Sequence, residues 1–311
     1  MVIQIAAVLA LAGCSAPRQP AQRTWTNPTD GSVLVWVPGG EFLMGSNQGD
    51  PDEKPVNRVR VAGFWLGEHE VTNAEYAKFL QATAFRKPDF WDDPRFNKPN
   101  QPVVSVTWLD VMEYCKWANV RLATEAEWEY AAAAGKRQLR YGTATGKLDH
   151  NLANFAGTGG CDTYEDVPAP VETFPPNPFG LYDMAGNAWE WCGTTWAPYP
   201  YRADDGRDGP DDSGYKVMRG GCWHFGPFHC RVACRHRHMT HLRYDYAGFR
   251  VALSDSEVKS RRAQAQSVLI GSLRDAYRYL REFNLPPKQE REALATLNLL
   301  IRTLKSAGLE W

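Results

Sequence analysis

A chain of 311 residues has room for one large domain or two ordinary ones, and 43% apolar residues are enough to bury a substantial core. Thirty-five basic residues against 36 acidic ones leave a formal charge of −1 with no basic run, which excludes the electrostatic footprint of a nucleic-acid binder. Twelve Trp, 13 Tyr and 13 Phe beside 26 Gly and 21 Pro point to a loop-heavy fold held by aromatic packing, and away from a helix bundle or a doubly wound sheet.

Residues Val2 to Leu11 are nearly all apolar, yet too few to span a bilayer as a helix. They run into Leu11-Ala12-Gly13-Cys14, then Ser15 and a Pro/Gln/Arg stretch. This resembles a bacterial lipoprotein signal, with residues 1–13 removed and Cys14 lipidated as the first residue of the mature chain. No Lys or Arg precedes the apolar run, which points to a start inside a longer signal. The expectation is an exported protein of the cell envelope, lipid-anchored and facing the periplasm, with Ser15 compatible with outer-membrane sorting. Export changes how the other six cysteines read: Cys115, Cys161, Cys192, Cys222, Cys230 and Cys234. In an oxidising compartment an even set is first a disulfide inventory, and its pairing stays open.

Residues 14–31 read as a polar tether. Residues 32–253 form one aromatic-rich globular segment. It opens with alternating apolar residues over Val33–Val37, a turn at Pro38-Gly39-Gly40, and a second alternation through Glu41–Gly45, predicting two short strands. Thr72 is placed to cap a helix with Tyr76, Phe79 and Leu80 on one face. Thr124 caps another, with Glu127 completing a capping box and Trp128, Ala131 and Ala132 turned to the core. From residue 254 the composition shifts to ten basic against seven acidic residues. Leu269, Leu273, Ala276, Tyr277 and Leu280 keep helical spacing, Asn284-Leu285-Pro286-Pro287 breaks it, and Leu294, Leu297, Ile301 and Leu304 resume it ahead of Gly308. Residues 254–311 are therefore expected to be an α-helical hairpin.

Several blocks of the globular segment resemble the formylglycine-generating-enzyme (sulfatase-modifying-factor) family. They are Leu34–Ser46, Gly63-Phe64-Trp65, Glu70–Tyr76, Pro102–Val104, Arg121–Tyr130 with Ala123 where Pro is usual, Phe179–Trp191, Arg219–Gly221 and Gly248–Arg250, in the family's order. The resemblance implies an α+β fold with little regular secondary structure, related to duplicated C-type lectin-like domains. It also implies two structural calcium ions. Asn154 and Asp162 would give side-chain oxygens to the first, with carbonyls from Phe155 and Tyr164. The second would be held by the Asp183 and Glu190 carboxylates and the Gly186 and Ala188 carbonyls, a set that suits a cation wanting six to eight oxygens.

Active members of the family oxidise a substrate cysteine with copper held by two cysteines that have four residues between them. Here the matching stretch, Arg219 to Arg235, has no such pair. Counting forward from the glycines places Phe225 and Cys230 there; counting back from Gly248 places Cys222 and Pro227. Cys222 and Cys230 remain the candidate catalytic thiols, and formylglycine chemistry is the least expected activity. Five of the seven histidines, His224, His229, His236, His238 and His241, lie with Cys222, Cys230 and Cys234 inside residues 222–241. His224, His229, Cys234, His236 and His238 are the candidates for a copper or iron site or for the wall of a cleft. His236 and His238 would share a face in a strand, His238 and His241 in a helix. Two functions compete: a calcium-stabilised module binding a peptide or protein partner in an envelope complex, and a metal-dependent oxidase of an exported protein or peptide.

Overall fold

A computed structural model of the chain describes residues 23–209, 211–282 and 287–306. Cys14 and the signal segment lie outside these residues. So do Gly308 and the side chains of Leu273, Tyr277, Leu280, Ile301 and Leu304.

The chain enters the fold earlier than a tether over 14–31 allows. Strand β1 (Thr24–Thr26) pairs antiparallel with β2 (Val33–Val37). In the connection Asn27 and Asp30 are buried. The Asn27 amide donates to the Ala118 carbonyl at 3.1 Å, and Asp30 accepts from the Tyr114 hydroxyl at 2.7 Å. Buried polar groups persist where they find partners of this kind, so residues 24–31 belong to the folded body.

The alternation beyond β2 does give a second strand, β3 (Gly40–Met44), but β2 and β3 do not pair. Strand β2 joins β5 (Phe64–Gly67), and β3 joins β4 (Asn57–Val61). The turn between them is squeezed: a Cβ on Gly39 would lie 2.6 Å from the backbone nitrogen of Gly63. The chain therefore crosses from one sheet to the next instead of folding back.

Helix α1 (Asn73–Thr83) starts where Thr72 accepts from the Glu75 amide while the Glu75 carboxylate accepts from the Thr72 amide at 2.7 Å. Tyr76 and Phe79 are buried and Leu80 is half-buried. Helix α2 (Trp108–Ala118), which the sequence reading missed, uses the same device with Thr107 and Asp110. After β6 (Arg121–Leu122), α3 (Glu125–Ala132) has the predicted Thr124–Glu127 box, and Trp128, Ala131 and Ala132 are buried. From there to β7 the chain runs in turns, a single 3-10 turn at Gly135–Arg137 and isolated bridges.

The last strands are β7 (Trp189–Thr195), β8 (Tyr215–Arg219), β9 (His236–Met239), β10 (Ala247–Gly248) and β11 (Val251–Ser254). They build a four-stranded sheet in the order β10-β7-β8-β9, and β11 closes a five-stranded sheet in the order β1-β2-β5-β11-β6. The beginning and end of the domain thus share one sheet. Its core gathers Val35, Phe42, Leu66, Trp128, Met184 and Ala252.

A second compact unit starts at Ser254. It consists of α4 (Asp255–Glu282) and α5 (Pro287–Ser306), which contact each other. Helix α4 starts well before Leu269, and α5 opens on Pro287, whose missing N–H costs nothing at a first helical position. Of the stripe residues whose side chains are described, Leu297 is buried and Leu294 half-buried, whereas Leu269 and Ala276 are exposed. No described helix is long and apolar enough to cross a membrane.

Candidate functional site

Helix α3 and strands β7 and β8 carry a fully buried ionic frame. Arg219, on β8, donates to Glu125 and Glu129 of α3 at 2.8 and 2.7 Å, to the Tyr199 hydroxyl and to the Val232 carbonyl. Arg235 adds a second pair to Glu125, 2.6 and 3.0 Å long. Burial alone pushes the Glu125 carboxyl up, but Arg219 and Arg235 outweigh it and hold it below its usual range. One sheet edge over, both oxygens of Glu190 accept from Arg250 at 2.6 and 2.7 Å, and one of them also accepts from the Trp128 indole. These groups are satisfied by one another, which is the signature of a structural element.

The frame aims the chain into a loop that begins at Gly220-Gly221, both at positive φ. A Cβ on Gly221 would sit 2.8 Å from the Cys230 sulfur, so the loop lies directly on that residue. Cys222 and Cys230 are completely buried. Burial pushes the Cys222 thiol up to about 12 and the Cys230 thiol higher still. Protonated thiols out of reach of solvent are neither nucleophiles nor ready metal ligands. Of the disulfide inventory only Cys161 is bonded among the described residues; Cys115, Cys192, Cys222, Cys230 and Cys234 are free and pack as small buried side chains. Cys234 does not join the histidines as expected: its sulfur lies within 4.8 Å of carboxylate oxygens of Asp50 and Glu53. Glu53 is in turn clamped by Arg231 at 2.7 and 2.9 Å.

The histidines do converge. Strand β9 is extended, so His236 and His238 share a face, with ring centroids 4.5 Å apart and planes at 85°. His238 lies over Tyr244 at 4.1 Å, Tyr244 stacks on Tyr246 at 5.0 Å, and His236 lies 5.1 Å from Trp189. Phe225 joins Trp189, Tyr246 and His229. The result is a half-buried aromatic–imidazole cleft. Exposed His224 stands at its rim beside Trp223 and Phe225, and Phe228 is 45% exposed next to His229. Burial, then His238 and His229, drive His236 down to about 4. His229 Nδ1 and His238 Nε2 are buried with no hydrogen-bond partner among the described residues.

The calcium sets implied by the resemblance fit unequally. In the first, Asn154 Oδ1 is buried without a partner, and the buried Asp162 keeps one oxygen against His150 Nδ1 at 3.0 Å and the other against the Tyr164 amide at 3.1 Å. The orphaned amide oxygen of Asn154 suits an oxygen-seeking cation, whereas both Asp162 oxygens are already engaged. In the second, Asp183, Gly186 and Asn187 all have positive φ, curling the turn inward. Glu190, however, is already engaged by Arg250 and Trp128. The free acceptor at that point is one the sequence reading missed, Glu70 Oε2, which is buried and unpartnered. Burial, then Asp183, hold the Glu70 carboxyl well above its usual range, and burial raises Asp183 to about 6. Asn187 links the two sets: it donates to Glu70 at 3.1 Å, accepts from the Ala169 amide at 2.9 Å, and gives its backbone N–H to the Asn154 carbonyl. Glu70 opens the recognised block Glu70–Tyr76, which was the available signal. Trp189 lies in the recognised block Phe179–Trp191, but Tyr244 and Tyr246, between β9 and β10, gave no signal.

A family model described as the sulfatase-modifying factor enzyme 1-like domain matches residues 20–255. The formylglycine-generating enzyme of Streptomyces coelicolor is 31% identical over 309 residues, covering 79% of this chain and 96% of that enzyme. Serine/threonine-protein kinase pkn1 of Chlamydia caviae is 35% identical over 241 residues, and there the chain spans 37% of the relative's length. Among solved structures, PvdO from Pseudomonas aeruginosa superposes with a TM-score of 0.64 at 30% identity, over 76% of this chain and all of that one. The match begins ahead of β1, in keeping with the early entry of the chain into the fold. The chain belongs to the sulfatase-modifying-factor family, the formylglycine-generating-enzyme-like proteins.

Proposed function

We propose that this chain is a calcium-stabilised binding member of its family, taking a peptide or protein segment into the aromatic–imidazole cleft as a lipid-anchored component of a cell-envelope complex. The observation that carries the reading is the contrast at residues 222–246. The thiols are walled off and protonated, while Phe225, Tyr244, Tyr246 and the histidines stay partly open. Half-buried rings of this kind are suited to receiving apolar and aromatic side chains. Calcium would be held through Asn154 and Asp162, and through Asp183 with Glu70, where it would neutralise buried carboxylates. The envelope location rests on the Cys14 signal.

The test is fluorescence titration of the calcium-loaded protein with a library of short peptides rich in aromatic residues, alongside an aldehyde-trapping assay on cysteine peptides. Saturable binding weakened by Tyr244→Ala, with no aldehyde formed, supports the reading. Aldehyde formation overturns it. A second reading, a metal-dependent oxidase, is favoured by the two orphaned imidazole nitrogens.

A further inference from the structure

Polar atoms are seldom left unpaired inside a protein, since a buried ring nitrogen without a partner costs about 1–3 kcal/mol. Two such nitrogens, His229 Nδ1 and His238 Nε2, lie in one cleft. His236 belongs to the same group of rings. It is edge-on to His238 at 4.5 Å, and it connects to His229 through Trp189 at 5.1 Å and Phe225 at 6.4 and 4.9 Å. The placement follows from the fold. Antiparallel pairing of β9 with β8 sets His236 opposite Met218 and His238 opposite Lys216, and the two-residue period turns both imidazoles to one side. His229 comes from the loop that Gly220-Gly221 lays over Cys230.

We propose that His229, His236 and His238 form a binding site for one divalent transition-metal ion of the imidazole-preferring class, copper(II) or zinc. The donor set decides the class. Three imidazole nitrogens with no carboxylate among them suit Cu²⁺ or Zn²⁺ and disfavour Ca²⁺ or Mg²⁺, which take oxygen. It also separates this site from the two-thiol copper pair of the active relatives, because Cys222 and Cys230 lie buried behind the loop. As the rings stand, three of their nitrogens are not within 4.8 Å of one another. The χ2 torsion of histidine is broad, so the half-buried rings of His236 and His238 can turn toward an ion with the strand in place, and His229 would join them from its loop. The aromatic wall of Trp189, Phe225, Tyr244 and Tyr246 leaves an open side at which a further ligand can reach the ion. This site stands on the cleft geometry and does not depend on whether the cleft binds peptides.

The experiment is calorimetric titration of the full, calcium-loaded chain with CuSO₄ and with ZnCl₂, together with the electron paramagnetic resonance spectrum of the copper complex. The expected result is one saturable site whose spectrum carries nitrogen hyperfine structure. His236→Ala and His238→Ala should each weaken it by about tenfold or more, with near-ultraviolet circular dichroism unchanged. His241→Ala and Cys234→Ser should leave it intact. His238→Gln serves as a second variant should the alanine protein fail to fold. Absence of a saturable site overturns the proposal, as does binding indifferent to His236 and His238. Loss of the site in Cys234→Ser also overturns it, by moving the ion to Asp50, Glu53 and Cys234.

Discussion

The frame around Arg219 and the cleft around His238 lie on adjoining strands, β8 and β9, and treat polar atoms in opposite ways. In the frame every charge meets its counterpart: Arg219 with Glu125 and Glu129, Arg235 with Glu125, Arg250 with Glu190. In the cleft and around Asn154 and Glu70, donors and acceptors are buried and left over. Burial therefore does not separate structure from function here. Satisfaction separates these regions better: the paired charges hold the fold, and the unpaired atoms of Asn154, Glu70, His229 and His238 are where a ligand or ion is expected.

The comparison breaks most readily at the frame. Arg219→Ala leaves Glu129 buried and Glu125 with only Arg235, and removing one partner of a buried pair costs about 3–5 kcal/mol. The urea midpoint should fall accordingly, while His238→Ala in the cleft should stay within about 1 kcal/mol of the parent. If the two variants were equally mild, satisfaction would not distinguish the regions.

A somewhat smaller effect should appear at Asp183 in calcium-free protein. Its folded pKa, about 6, stands above the ordinary 3.8. A raised folded pKa contributes stability that is complete below the unfolded value and lost as pH rises through the folded one. Chelated protein should therefore lose about 3 kcal/mol from this group between pH 4 and pH 7. Calcium should flatten the dependence, and Glu70→Gln should stabilise the chelated chain as pH rises by removing a carboxyl whose ionisation burial and Asp183 oppose. A chelated protein whose unfolding midpoint does not move with pH would remove the argument for a cation here.

What was legible beforehand divides along the same line. The capping boxes at Thr72 and Thr124 and the alternation in β2 and β3 are local, and local spacing carries them. Helix α2 was missed although Thr107 and Asp110 form the same box. That β2 and β3 part company is fixed by Gly39 against Gly63, a contact no spacing reports. At the site, clustered histidines were visible, and an extended β9 would put His236 with His238. The rings that complete the cleft come from 189, 225, 244 and 246, and only the sheet order joins them. The cysteines misled because export suggested pairing, whereas five of them serve as packing.

The thiols give the next prediction. Cys222→Ala and Cys230→Ala each remove a small buried side chain and should cost about 1–2 kcal/mol, with peptide and metal binding in the cleft preserved. In the native protein both sulfurs should resist iodoacetamide at pH 8 and react on unfolding, as followed by intact mass. Rapid native alkylation of either would return it to the cleft and reopen thiol chemistry.

The smallest effect sharpens the contrast from the cleft side. His236 is held neutral by burial and by His238 and His229, with its folded pKa at about 4 against an ordinary 6.5. Its sign is opposite to that of Asp183: the stability it contributes is complete above the unfolded pKa and is lost as pH falls through the folded one. In metal-free protein its ring resonances should hold the neutral shift at pH 5. Adding Zn²⁺ at pH 7 should perturb His229, His236 and His238 together and leave His241 unmoved. An ordinary titration of His236 near 6.5 would mean that water reaches the ring freely, and the cleft would then be as satisfied by solvent as the frame is by its own charges.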